Sequence, residues 1–407
     1  MPGNDNEIQR SAYRMLKVFN FVLYGALAIF GTYFALYLKN LGVSNIAIGA
    51  ILAGGPVVSL IANPFWAYWA DRLRNNRRIL IITLALALVA MQFVFLSRSE
   101  PFIFGTLLAF FVFQSPLYTQ SNSLILNSIQ GTGLKFGAFR LWGSLGWAIS
   151  AAAFGPLIGK LGIDRLWIVF DVMILLALIF AFLLPTGGES ERKEVFSNSG
   201  YRQVFLNRPF MLLVLIGILV SVPNSINNTF VGIYISDLGG SESVVGWSIF
   251  ATAILEAPVF LLLDRFLKPA PQKMILWMSL VSVLYSVRWL LMSSVETAAG
   301  IIWIQLMHCV TFGAYYYIGT QLTSRLVPDS FRSTGQAVYG LTWGGVSGII
   351  AGLTGGWMFE HLGPVALYRI SALITMAGVF GFLFMLRLTR KSFGEVPTES
   401  PAGTIGK

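Results

Sequence analysis

The sequence has few charged residues, a single cysteine and only two histidines. Charged side chains make up 11% of the 407 residues, whereas 56% are hydrophobic. Soluble globular proteins carry about 25% charged residues, so this composition excludes an ordinary water-soluble enzyme. It also excludes intrinsic disorder, which requires low hydrophobicity and high charge. Cys309 alone cannot form a disulfide within one chain, and two histidines are too few for a histidine-rich site. We therefore expect no metal and no cofactor.

Twelve hydrophobic stretches are each long enough to cross a bilayer as a helix, which takes about 20 residues. They lie at roughly 14–38, 46–69, 78–97, 101–126, 138–160, 165–185, 210–236, 243–266, 273–294, 298–323, 333–359 and 366–389. Stretches such as 79–96 lack the alternation of a barrel strand. The sequence therefore predicts an all-α integral membrane protein with twelve transmembrane helices, and a polar tail at residues 1–11.

The basic residues are distributed unevenly between the two sides of these spans. If the N-terminus is cytoplasmic, 22 of the 28 Lys and Arg residues fall on the inner side and 5 on the outer side, and Arg288 lies within a span. Cytoplasmic loops of membrane proteins carry this excess. We expect a protein of the cell inner (plasma) membrane with both termini in the cytoplasm. The anionic inner leaflet then explains the net charge of +10, and we expect no nucleic-acid partner.

The longest connection between spans is polar and carries charges of both signs, and it separates six spans from six. The halves resemble each other, since Pro56 of the second span has a counterpart in Pro258 of the eighth. Repeated halves are typical of transporters that bind substrate between them. We divide the chain into a six-helix bundle, a cytoplasmic linker, a second six-helix bundle and a mobile tail, at residues 1–185, 186–209, 210–393 and 394–407. We expect a monomer.

Four ionisable residues lie deep within the spans. Glu256, Arg288 and His308 are each about 15–22 Å from the start of their spans at the helical rise, so they can meet in the second half. Burial raises the pKa of a carboxyl group and a nearby guanidinium lowers it, so a glutamate whose contact with an arginine opens and closes can carry a proton. We favour this role for Glu256, with His308 as a relay, over a purely structural pair. Asp171 lies closer to the outer surface, and its role stays open.

Polar faces on three other spans supply candidate substrate contacts. Arg140, Ser144 and Trp147 are spaced by four and three residues and so share one helical face. Span 7 carries a neutral face that either binds a polar substrate or joins helices. Span 4 is strongly polar and contributes Gln120. The asparagines of span 7 are Asn224, Asn227 and Asn228.

Several motifs resemble one family over essentially the whole chain. Asp71 and Arg72 begin a basic segment, 71–78 (DRLRNNRR), and the others lie at 136–147 (FGAFRLWGSLGW), 256–258 (EAP), 286–289 (SVRW) and 305–313 (QLMHCVTFG). They resemble the major facilitator superfamily, and within it the lactose-permease-like branch with nucleoside:proton symporters and phenylpropionate permeases. The resemblance implies two pseudo-symmetric six-helix bundles, a gating loop at Asp71 and Arg72, and the symporter class.

The chain departs from lactose permease at acidic positions. Thr311 stands where that permease has a glutamate, and Asn224 and Asn227 stand where it has aspartates. Lactose transport is therefore not expected, and any proton coupling rests mainly on Glu256.

We interpret the sequence as a secondary active transporter, a proton-coupled symporter that imports a small organic solute by alternating access. A sugar or nucleoside suits the asparagines and Trp147, whereas an aromatic acid suits Arg140 and Arg288. One alternative is a drug:proton antiporter, and another is a non-transporting sensor on a carrier fold. No nucleophile–base pair or metal cluster indicates an enzyme.

Overall fold

The structure is a computed structural model, and it describes residues 2–184, 203–254, 256, 259, 262–263, 270–328 and 331–393. Most of the linker predicted at 186–209 and the tail predicted at 394–407 lie outside these residues. Pro258, which carried part of the resemblance between the halves, lies outside them as well. The described part of the chain consists of helices and short turns and contains no strand.

Fourteen α-helices are described. They are α1 Pro2–Asn40, α2 Asn45–Leu73, α3 Asn76–Leu96, α4 Glu100–Gln114, α5 Pro116–Ile129, α6 Gly137–Leu161, α7 Leu166–Phe182, α8 Arg208–Asp237, α9 Glu242–Ile254, α10 Pro271–Ser293, α11 Ala298–Gln305, α12 Ala314–Leu326, α13 Arg332–Leu341 and α14 Ser347–Phe393. A 3₁₀ turn at Ile163–Arg165 precedes α7, and π-helical turns at Cys309–Gly313 and Thr342–Val346 join α11 to α12 and α13 to α14.

Ten helical segments in the described part of the chain are long and apolar enough to cross a membrane. The last of them, Thr334–Thr389, has 56 residues, so its length of about 84 Å is more than twice the hydrocarbon thickness. It breaks at Gly363, where the backbone leaves the helical region with φ 76 and ψ 167, and so holds two spans. The shorter apolar helix α9 begins the predicted eighth span. The structure is consistent with the twelve predicted spans.

The sequence predicted a polar tail at residues 1–11, but the described residues of this segment form part of a helix. Helix α1 begins at Pro2 and continues without a break to Asn40, so the polar N-terminal residues extend the first span as a helix.

The most extensive contacts between the first half of the chain and the second half are made by three helix pairs. Helix α2 packs on α14, α6 on α9, and α1 on α8. The first two pairs approach closely through glycines near the end of the molecule that contains the 41–44 turn, which we call the first face. A Cβ built on Gly49 would lie 2.0 Å from the carbonyl oxygen of Gly352, and one on Gly246 would lie 2.2 Å from that of Ala151. Side chains at these glycines would force the halves apart.

A hydrogen bond adds to this contact at the first face. The backbone N–H of Asn45, in the first turn of α2, donates to Oε2 of Glu360 in α14 at 2.9 Å. A carboxylate suits this position because the N-terminus of a helix attracts negative charge.

Candidate substrate cavity

A cavity of about 470 Å³ lies between the two halves of the chain. Its walls combine one arginine, one carboxylate, neutral hydroxyls and an amide with several aromatic rings. The lining residues are Tyr24, Gly31, Thr32, Tyr118, Arg140, Ser144, Trp147, Asn228, Ile249, Thr252, Ala253, Glu256, His308 and Phe312. Binding sites for small molecules have this character, mostly apolar with a few polar groups that fix orientation.

Helix α6 supplies one wall, through the face predicted from residue spacing. Arg140, Ser144 and Trp147 all line the cavity. The Arg140 guanidinium lies 4.3 Å from the centre of the Tyr24 ring, and Nη1 donates to Oγ of Ser144 at 3.3 Å. A cation over an aromatic face is held by the ring quadrupole, so Arg140 is positioned by neutral groups.

Glycines allow this wall to lie directly against α1. A Cβ on Gly146 would lie 2.1 Å from the carbonyl oxygen of Phe21, and one on Gly25 would lie 2.4 Å from Oγ of Ser150. The two backbones can approach this closely only where side chains are absent. At the cavity, a Cβ on Gly31 would lie 2.8 Å from Cη2 of Trp147. The indole therefore rests against the bare backbone of α1.

Another wall comes from the eighth span. Ile249, Thr252, Ala253 and Glu256 follow helical spacing and all line the cavity. Glu256 is half-buried in this wall. The structure thus brings Glu256 to the same cavity as Arg140.

Arg288 lies behind this cavity rather than on its wall. Its side chain is fully buried. One terminal nitrogen of the guanidinium donates to Oγ1 of Thr311 at 3.4 Å and contacts Nδ1 of His308 at 3.1 Å, and the other donates to Oε1 of Gln305. The Nε atom is buried without a hydrogen-bond partner. The three partners of this buried cation are uncharged when the histidine is neutral.

The contact with Arg288 fixes the state of His308. A guanidinium has donors and no acceptor, so Nδ1 of His308 accepts and the ring proton sits on Nε2. The ring stacks on Phe312 at 4.9 Å, and both rings line the cavity. The intervening chain forms the π-helical turn, a distortion frequent at functional sites. His308 is therefore a neutral acceptor toward Arg288 in this structure.

The three asparagines of α8 take two different positions. Asn228 is exposed and lines the cavity. Asn224 and Asn227 are buried, and their Oδ1 atoms accept hydrogen bonds from the hydroxyls of Tyr285 at 3.4 Å and Tyr368 at 3.1 Å. These two amides join helices and are not among the lining residues.

The remaining predicted polar residues lie away from the cavity. Gln120 is buried, and its Oε1 accepts from Nδ2 of Asn76 at 2.8 Å. Asp171 accepts through Oδ1 from Nε2 of Gln92 at 2.8 Å, which links α7 to α3.

The predicted gating residues lie at the end of α2 opposite the first face. Asp71 and Arg72 are exposed. Arg72 donates to the hydroxyl of Tyr68 at 3.1 Å and lies 5.8 Å from the centre of the Trp69 ring.

Sequence reasoning missed the contribution of α1 to the cavity. Tyr24, Gly31 and Thr32 line it, but no polar face marked this helix. Thr32 differs from the other two because its Oγ1 is buried without a hydrogen-bond partner. Ile249, Thr252 and Glu256 are spaced by three and four residues, and this spacing could have predicted that they share one face of the eighth span.

Comparison with known proteins now identifies the family. A family model described as "MFS_1 like family" matches residues 13–370. The chain belongs to the MFS_1 like family. It is 27% identical to a maltose permease of Geobacillus stearothermophilus over 92% of this chain and 95% of that protein. It is 24% identical to a probable 3-phenylpropionic acid transporter of Escherichia coli, over 90% and 96%.

Solved structures agree on the fold of this MFS_1-like protein. A crystal structure of the nucleoside transporter NupG covers 92% of this chain and 99% of its own, with a TM-score of 0.76 and 14% identity. A bacterial homologue of the lysosomal transporter Spinster has a TM-score of 0.67 with 13% identity. The protein is thus a multi-pass membrane transporter of the major facilitator type that carries a small molecule, and it is not an enzyme.

Proposed function

We propose that this transporter is a symporter that imports a small organic solute together with a proton, and that Glu256 carries the proton. The observation that supports this is Glu256 itself, the single carboxylate among the described residues of the cavity wall, which is half-buried and shares the cavity with Arg140. Ionisable groups within a membrane protein are functional by default, because an unused charge there is costly.

The close contacts at the first face support alternating access. They hold the two halves together at that face through Gly49, Gly352 and the bond between Asn45 and Glu360. We infer that the side with the excess of basic residues is cytoplasmic, so that these contacts close the carrier toward the outside. Opening to the outside then requires these contacts to separate.

The relatives leave two substrate classes. One is named for a neutral disaccharide and the other for an aromatic acid. Both classes fit a cavity with a tryptophan on one wall and an arginine beside it.

Right-side-out membrane vesicles test the coupling. With an acidic exterior, a labelled substrate should accumulate, and a protonophore should abolish the accumulation. Glu256→Gln should still exchange labelled for unlabelled substrate but should not concentrate it, because the amide cannot ionise. Asp171→Asn is the matched control, since this membrane carboxylate bonds to Gln92 away from the cavity.

Two results would contradict the proposal. Protonophore-insensitive accumulation would exclude proton coupling, and uphill uptake by Glu256→Gln would make that residue structural. Protonophore-sensitive extrusion from cells, with no uptake, would instead indicate the antiporter.

A further inference from the structure

The charges around the cavity are unbalanced. Arg288 is fully buried against His308, Thr311 and Gln305, all of which are neutral. Buried charges in proteins are normally paired with an opposite charge. Within the part of the chain that the structure describes, no ion pair joins this guanidinium to a carboxylate.

The second guanidinium has neutral partners too. Arg140 rests over the Tyr24 ring and donates to Ser144. It faces the cavity directly, so a ligand can reach it.

Among the described residues that line the cavity, one carboxylate offsets these two cations. Glu256 lines the cavity, whereas Asp171 bonds to Gln92 between α7 and α3. The undescribed residues nearest to Glu256 in the sequence, 255, 257, 258, 260 and 261, are all uncharged, and the charged residues later in the predicted span, Asp264 and Arg265, have opposite signs. With Glu256 ionised, the region around the cavity therefore carries one excess positive charge.

We infer that the substrate is a small organic monoanion, a carboxylate on an aromatic or apolar body. This inference rests on the proposed function and chooses between the two substrate classes left open above. A carboxylate pairs with a guanidinium through charge-assisted hydrogen bonds, and Arg140 is the guanidinium on the cavity wall. The rings of Trp147 and Phe312 suit the apolar body. With the proton on Glu256, a neutral sugar would leave two uncompensated positive charges in the loaded carrier, whereas a monoanion brings the excess back to one.

The same charge count fixes the energetics of transport. An empty carrier with ionised Glu256 and a carrier loaded with one anion and one proton have equal charge. Each cycle then moves no net charge, so the proton gradient drives uptake and the membrane potential does not. Uptake of a neutral solute with a proton would move one positive charge per cycle.

Uptake assays in membrane vesicles distinguish a monoanionic substrate from a neutral one. We expect labelled 3-phenylpropionate, used as the probe, to be taken up under a pH gradient and to be competed by unlabelled aromatic carboxylates but not by their amides. Nigericin, which collapses the pH gradient, should abolish uptake, and valinomycin with potassium, which sets the potential, should not change it. Arg140→Gln should raise KM at least tenfold and Arg140→Lys less, whereas Arg98→Gln, an exposed arginine near the first face, should leave KM unchanged.

The outcomes distinguish this inference from the proposed function. Protonophore-sensitive, potential-driven uptake of maltose or a nucleoside would overturn the monoanion and leave proton symport intact. Carboxylate uptake that ignores a protonophore would overturn symport and leave the substrate class supported. Purified protein supplies a second measurement, because a panel of aromatic and aliphatic monocarboxylates that fails to raise its Tm would also overturn the inference.

Discussion

Gly31 should determine how much room Trp147 leaves for the substrate. In Gly31→Ala the new Cβ would lie 2.8 Å from Cη2 and 3.2 Å from Cζ2 of the indole. Carbon atoms pack best at about 3.5–4.0 Å, so the ring edge has to retreat by roughly 0.7–1.2 Å. Helix α1 cannot shift to absorb this without breaking its contact at Gly146, so the indole turns into the cavity.

The size of the effect follows from the cost of overpacking. Inserting a methyl group into a well-packed site costs about 1–3 kcal/mol, and each 1.4 kcal/mol is tenfold in affinity. If most of this cost falls on the occupied cavity, KM for the transported substrate should rise between about fivefold and a hundredfold. It should rise more for bulky substrates than for small ones.

Transport kinetics and thermal unfolding together check this expectation. Gly105→Ala is the matched control, because a Cβ there meets nothing within 4 Å, and it should change neither KM nor the folded yield. A folded Gly31→Ala protein with unchanged KM for every substrate would refute the reasoning. A rise in KM that is equal for small and bulky substrates would show that the ring does not act as a size filter.

Two further predictions concern polar contacts. Glu360→Gln should weaken the bond to Asn45, because it removes a charge at a helix N-terminus that is worth about 0.3–1 kcal/mol. The population open at the first face should then rise up to about fivefold. Distances between spin labels across that face measure this population, and an unchanged distance distribution would contradict the prediction. His308→Asn keeps an acceptor for Arg288 and should retain protonophore-sensitive accumulation, whereas loss of coupling in a folded variant would restore the proton-relay role expected from the sequence.

Hydropathy predicted the spans well because lipid imposes a simple rule. Backbone groups have to be satisfied within each helix, so every crossing needs a long apolar run. The span predicted at 138–160 corresponds to helix Gly137–Leu161, and the one predicted at 273–294 corresponds to Pro271–Ser293. Hydropathy gave no information on residues 2–11, where a polar segment continues α1 as a helix.

Residue spacing predicted one wall of the cavity and left the other walls open. Arg140, Ser144 and Trp147 share a face whichever neighbours they meet, and all three line the cavity. Which of three asparagines on α8 faces the cavity depends on the rotation of that helix, and only Asn228 does. The contribution of α1 depends on glycines that bring it against α6, which is a property of two helices together.

Prediction from the sequence was limited in the same way for the ionisable residues. Depth along the spans placed Glu256, Arg288 and His308 near one level, and the structure does place Arg288 against His308. Depth could not show that Arg140 shares the cavity with Glu256 while Arg288 lies behind its wall. Helix rotation and tilt decide such pairings, and a single sequence does not encode them in its spacing.

Proton movement measured with the substrate tests the central claim most directly. Adding substrate to de-energised right-side-out vesicles in weakly buffered medium should make the medium alkaline as protons enter with the solute. We predict alkalinisation with the wild-type protein and with Asp171→Asn, and none with Glu256→Gln, although that variant still exchanges substrate. Alkalinisation that persists in Glu256→Gln, or that is absent while the wild-type protein takes up substrate, would contradict the account.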